Sequence, residues 1–167
     1  LITADQIRSL LDLKPLPLEG GYYAETYRSS HIVPAETVAA ESAGRRALAT
    51  AIFYLLTPET FSALHRLPAD EIYHFYLGDP VEMLLLLPDG SSDLITLGPN
   101  ILSNMTLQAV VPAGVWQGSR LLDGGVFALL GTTMSPGFDP ADYEGGDRDD
   151  LARLYPDRRR LIEALTR

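Results

Sequence analysis

Residues 61–78 read FSALHRLPADEIYHFYLG, and residues 111–117 read VPAGVWQ. In the first stretch His65 is followed six residues on by Glu71, and Gly78 stands seven further on. In the second, Pro-x-Gly precedes Gln117. An imidazole titrates near neutrality, so a histidine here could take or give a proton. A carboxylate that accepts the ring N–H would fix its tautomer. The catalytic candidates are His65 as general base, Glu71 as its orienting partner, and Tyr73 returning the proton from the other side. The same nitrogen and oxygen donors could instead bind a divalent cation, which makes His65, Glu71 and Gln117 the candidate metal ligands. The competing structural reading is a hydrogen-bonded core histidine and a solvated turn carboxylate following Pro68-Ala69-Asp70.

Strand geometry decides whether these groups can meet, because successive side chains point to opposite faces. His65 shares a parity with Phe61, Ala63 and Leu67, and Glu71 with Tyr73, Phe75 and Leu77. If those faces line an interior, His65 and Glu71 sit on neighbouring strands near a shared turn, and Gln117 approaches from another strand pair. His74 faces away with Ile72 and Tyr76; it reaches a ligand only if a bulge turns it inward. Residues 20–29, GGYYAETYRS, open with paired glycines that permit close backbone approach. Glu25 and Arg28 have opposite parity, and an ion pair across strands or subunits is the expected use of both. Tyr23, Thr26 and Trp116 are candidates for a ring-stacking ligand wall, with core packing the alternative for Trp116.

The elements that must hold these side chains are mostly strands. Residues 22–29 read as a strand rich in aromatic and β-branched residues. From residue 48 onward, apolar segments at 48–56, 61–67, 71–77, 81–87, 93–97, 105–111, 116–121 and 126–133 follow in quick succession, closed by Gly, Pro, Asn or Asp. Short strands at that spacing predict an antiparallel sandwich or barrel. Thr3-Ala-Asp-Gln6 reads as a capping box for a short helix burying Ile7, Leu10 and Leu11. Residues 14–18 are proline-rich and extended. Residues 30–46 are expected to form a mobile loop or a long hairpin connection. Two short helices are expected at 147–155 and 157–165, with Leu161, Ile162 and Leu165 inward. The organisation is a single domain: helix and connector at 1–19, strands at 20–134, and loop and helices at 135–167. Strands 48–56 and 81–87 are apolar on both faces, so something must cover the outer one. A homodimer is the first expectation, and the terminal helices are the alternative.

The chain has 167 residues, 46% of them hydrophobic, and a formal net charge of −9. An acidic surface repels nucleic-acid backbones and anionic lipid, so neither is expected as a partner. There are no cysteines, which excludes disulfides and thiolate chemistry. No apolar run reaches membrane-spanning length. The start lacks a signal-peptide pattern, and the expected location is the cytoplasm. Neither a P-loop, a dinucleotide fingerprint nor a Gly-x-Ser-x-Gly elbow occurs.

These residues resemble the cupin superfamily. His65, Glu71 and Gly78 stand where its first motif places histidine, glutamate and glycine. Pro112, Gly114 and Gln117 stand where its second places proline, glycine and the last histidine. Two ligand positions depart from the pattern: Leu67 replaces the second histidine and Gln117 the last. The strings GGYYAETYRS, FSALHRLPADEIYHFYLGDPVEMLLL, VPAGVWQGSRL and TTMSPGFDPADYE are similar to the cupin-5 (DUF985) branch. That resemblance implies an all-β antiparallel jelly-roll barrel with short N- and C-terminal helices, a homodimer and a pocket for a small molecule of carbohydrate or nucleotide character. A divalent metal is the candidate cofactor, though the sequence requires none. The functional expectation is an epimerase- or isomerase-like enzyme using His65, with a non-catalytic binding protein and a weakly metal-bound enzyme as alternatives.

Overall fold

The computed structural model describes residues 2–37 and 44–167. In chain order the elements are α1 (Ala4–Leu10), β1 (Lys14–Pro15), β2 (Tyr22–Arg28), β3 (Ile32–Pro34), β4 (Arg45–Ala47), β5 (Thr50–Leu56), β6 (Phe61–Arg66), β7 (Glu71–Gly78) and β8 (Val81–Leu86). They continue with β9 (Ser92–Leu97), β10 (Gln108–Val111), β11 (Trp116–Leu121), β12 (Ala128–Met134), β13 (Glu144–Gly145), α2 (Arg148–Leu154) and α3 (Arg159–Ala164). Six strands form one sheet in the order β1-β2-β5-β12-β7-β10, and five form a second in the order β13-β6-β11-β8-β9. The ladders are antiparallel. The expected closed barrel is thus two sheets rather than one ring of hydrogen bonds. An isolated parallel bridge, Leu97 to Thr106, lies outside these ladders.

Alternation explains how β8 and β5 tolerate apolar residues on both faces. Val81, Met83 and Leu85 join Tyr54, Leu56, Tyr73 and Phe75 in the largest core cluster. Leu84 and Leu86 instead meet Leu151, Ile162 and Leu165 of the C-terminal segment. On β5, Leu55 and Phe53 pack with Ile7 and Leu13 of the N-terminal segment. The cover for both strands is therefore supplied within the chain. Fully burying one such leucine or isoleucine contributes about 1.5–3 kcal/mol, enough to hold two-turn helices that would not form alone.

The capping box at Thr3 and Gln6 forms as expected. Leu10 does not turn inward and is 75% exposed. The helix buries the stripe Ala4, Ile7 and Leu11, spaced three and four residues apart, and Leu10 lies off it. Between 30 and 46, β3 and β4 pair as a hairpin; residues 38–43 of that connection lie outside the described residues. Arg46 on β4 is buried and grips Asp142 in a two-pronged ion pair at 2.8 and 2.7 Å. That pair fixes the loop carrying Phe138 and Tyr143 over the inner face of β5.

Candidate functional site

A cavity of about 370 Å³ opens among β2, β5, β7, β12, the connector at 16–19 and the loop at 138–143. Glu71 begins β7 between Val111 of β10 and Met134 of β12. Its side chain lines the cavity, yet the residue is only 6% exposed. Burial pushes the Glu71 carboxyl above the usual range and the charge of Glu19 pushes it further. His65 and hydrogen bonds from Thr132 and Gln117 oppose that rise.

Gln117 reaches Glu71 from the other sheet. Its Nε2 donates to Glu71 Oε2 at 2.8 Å, and the residue is 2% exposed. Gln117 stands directly opposite His65 on the adjacent strand. Hence His65 and Glu71 are not on neighbouring strands of one sheet: the turn at 67–70 carries the chain from one sheet to the other. A register shift between Gln117 and Ser119 brings Ser62 opposite Ser119, three residues from His65. This bulge breaks the simple parity, and Phe61 packs with Leu64 against the helices rather than sharing the face of His65.

His65 is 1% exposed and does not line the cavity. Its Nδ1 lies 2.7 Å from the Ala63 carbonyl, which can only accept, so Nδ1 carries a proton. Its Nε2 lies 4.0 Å from Glu19 Oε2, and its ring stacks on Tyr143 with centroids 5.0 Å apart. The carboxylate within 4.0 Å of the imidazole is therefore that of Glu19, not Glu71.

Glu19 is the functional candidate that sequence reasoning missed. It lines the cavity and accepts from the buried Ser62 hydroxyl. Its connector is held from several sides. Ala63 N–H donates to the Glu19 carbonyl at 2.9 Å, and Tyr54 O–H to the Gly20 carbonyl at 3.0 Å. Tyr143 O–H donates to the Leu18 carbonyl at 3.0 Å, and Arg167 Nη1 to the Pro17 carbonyl at 3.1 Å. Burial, with the charge of Glu19, pushes the Tyr143 phenol up to about 12, so it stays a donor at neutral pH. The available signal was one acid between Pro-Leu-Pro-Leu and Gly-Gly.

The remaining candidates divide. Tyr23, Glu25 and Arg28 line the cavity. A register shift between Glu25 and Tyr27 puts Glu25 and Arg28 on one face, where they pair within their own strand at 2.9 and 2.7 Å. The expected cross-strand or inter-subunit pair is thus intrastrand. Thr26 is exposed and bonds the Ala51 carbonyl at 3.1 Å, outside the cavity. Trp116 packs with the C-terminal helix cluster under the Arg66 guanidinium, 4.6 Å from its ring centroid. His74 lies between Thr133 and Gln108, at 3.0 and 3.1 Å, also away from the cavity. No bulge turns it inward at that position. Tyr73 is buried in the core between the sheets, and burial raises its phenol well above the usual range. It does not reach the cavity wall.

The donor set does not fit a transition-metal centre. Among the described residues no three His, Cys, Asp or Glu side chains are arranged to hold a metal ion. The Gln117 amide directs an N–H at Glu71, and Leu67 offers no donor atom.

The family model for the cupin superfamily (DUF985), Cupin_5, matches residues 5–145. The chain belongs to this family. A hypothetical protein from Leishmania major has the same fold at a TM-score of 0.87, with 32% identity over 99% of both chains. An uncharacterized protein of Saccharomyces cerevisiae is 31% identical over 133 residues, which is 75% of this cupin chain and 66% of the yeast protein's length. Oxalate decarboxylase from Bacillus subtilis shares the fold more distantly. It has a TM-score of 0.53 and 14% identity over 92% of this chain and 37% of that one. Among the described residues, no helix of this cupin is long and apolar enough to cross a membrane.

Proposed function

We propose that this cupin binds a small hydroxylated, carbohydrate-like molecule in the cavity and moves a proton on it, as an epimerase or isomerase does. One observation supports the reading above the others: Glu71 is a buried carboxyl, raised in pKa, that faces open space. A carboxyl whose pKa is raised by burial is a stronger base than an ordinary one and can both remove and return a proton. Glu71 is then the catalytic residue. His65, walled off from the cavity, acts through Glu19 as a positioning residue. Thr132 and Gln117 hold the carboxylate in one orientation.

Keto- and aldo-sugars incubated with the protein in deuterium oxide should take up deuterium at carbon, followed by NMR. His65→Ala should slow uptake by about 10–100-fold and change the shape of its pH profile. Loss of rate with an unchanged profile would reduce His65 to a packing role. Absence of uptake with every sugar, alongside saturable binding, would favour the second reading, a non-catalytic binding protein using the same cavity.

A further inference from the structure

We propose that the ligand of this cavity carries a positive charge: an amine-bearing, hydroxylated small molecule rather than a phosphorylated or carboxylated one. The inference rests on reading the cavity as a small-molecule site and adds the charge of its occupant.

It follows from an inventory of donors and acceptors on the wall. Glu19, Glu25 and Glu71 line the cavity, and among the described lining residues Arg28 is the cation. Each guanidinium nitrogen of Arg28 already donates within the chain. Nε and Nη2 bond Glu25, and Nη1 and Nη2 bond the Phe138 carbonyl at 3.4 and 3.3 Å. Arg28 and Glu25 cancel each other's charge. Arg167 lies behind the wall, bonded to the Pro17 carbonyl. Glu19 and Glu71 then remain as acids whose contacts are with hydroxyl, amide and imidazole groups.

A ligand entering this space must bring donors. A phosphate or carboxylate would stand against two acids in a partly desolvated pocket. Like charges repel there far more strongly than in bulk water. An ammonium brings three donors and the complementary charge. Tyr23, Phe138 and Tyr143 stand on the wall as well, and aromatic rings attract cations. Behind Glu71, Gln117 Oε1 is buried with no hydrogen-bond partner, a further acceptor on the same side of the balance.

Isothermal titration at pH 7 and low salt with D-glucosamine, D-glucose and D-glucose 6-phosphate tests this. Glucosamine should bind about tenfold more tightly than glucose, and glucose 6-phosphate should give no measurable heat. Glu19→Gln should bring glucosamine and glucose to near parity. If that variant fails to fold, added sodium chloride on the wild-type protein should erode the preference for the amine. Equal binding of glucosamine and glucose, or tighter binding of the phosphate, would overturn the charge assignment and leave the pocket reading standing. No binding of any of the three would count against both.

Discussion

Gly20→Ala is expected to lower the unfolding free energy by about 3 kcal/mol and to withdraw Glu19 from the cavity. Gly20 has φ +109°, a backbone conformation that other residues rarely adopt. A Cβ there would run into the Phe61 carbonyl, which is backbone at the start of β6, and meet Arg167 Nη2 at 2.7 Å. Neither conformational strain nor this clash can be relieved without moving the connector. The same connector places the Glu19 carboxylate beside Ser62 and His65. Gly124→Ala is the control. Gly124 has φ +86° but open space around a new Cβ, so it should show only the conformational cost of about 1–2 kcal/mol. Urea melts of the two variants should separate by the clash. A Gly20→Ala protein as stable as Gly124→Ala would show that residues 16–21 yield easily.

Glu71→Gln should remove deuterium uptake almost entirely, by about 100-fold or more, while making the protein more stable at neutral pH. Glutamine keeps an acceptor for Gln117 and Thr132 but has no carboxylate to desolvate. The pH dependence has a definite sign. Glu71 has a folded pKa above its unfolded value, so the folded state binds more protons between the two. Stability from this group is present below the unfolded pKa and is lost as pH rises through the folded one. The advantage of Glu71→Gln over wild type should therefore be small near pH 4 and grow as the pH rises through the folded pKa. Thermal melts across that pH rise check it. An advantage independent of pH would mean that Glu71 does not resist ionisation.

Much of this arrangement is legible in the chain, and the misses have physical causes. His65, Glu71 and Gln117 were readable from types and spacing, and all are buried together. Their sheet membership was not readable. Local pattern marks the turn at 67–70 but not whether it joins two strands of one sheet or crosses to another. Parity misled at Phe61 and Arg28 because a single bulge reverses every face beyond it, and no residue type announces one. Trp116 and His74 are polar-tipped rings that serve packing on outer faces as well as they would serve a ligand. Glu19 was invisible for a different reason. An extended, proline-rich connector has no period, and its path is set by Tyr54, Ala63, Tyr143 and Arg167, all distant in sequence. The strands themselves were the easiest part, since nearly every one ends at a glycine, proline or aspartate.

Glu71 serves as a proton-exchanging carboxyl only if its burial and the charge of Glu19 raise its pKa. Carbon-13 NMR titration of glutamate side-chain carboxyls, with Glu71 assigned through Glu71→Gln, addresses it directly. The Glu71 midpoint should lie above the usual carboxylate range and move down when Glu19 is replaced by glutamine. A Glu71 midpoint within the usual range, unmoved by Glu19→Gln, would contradict it.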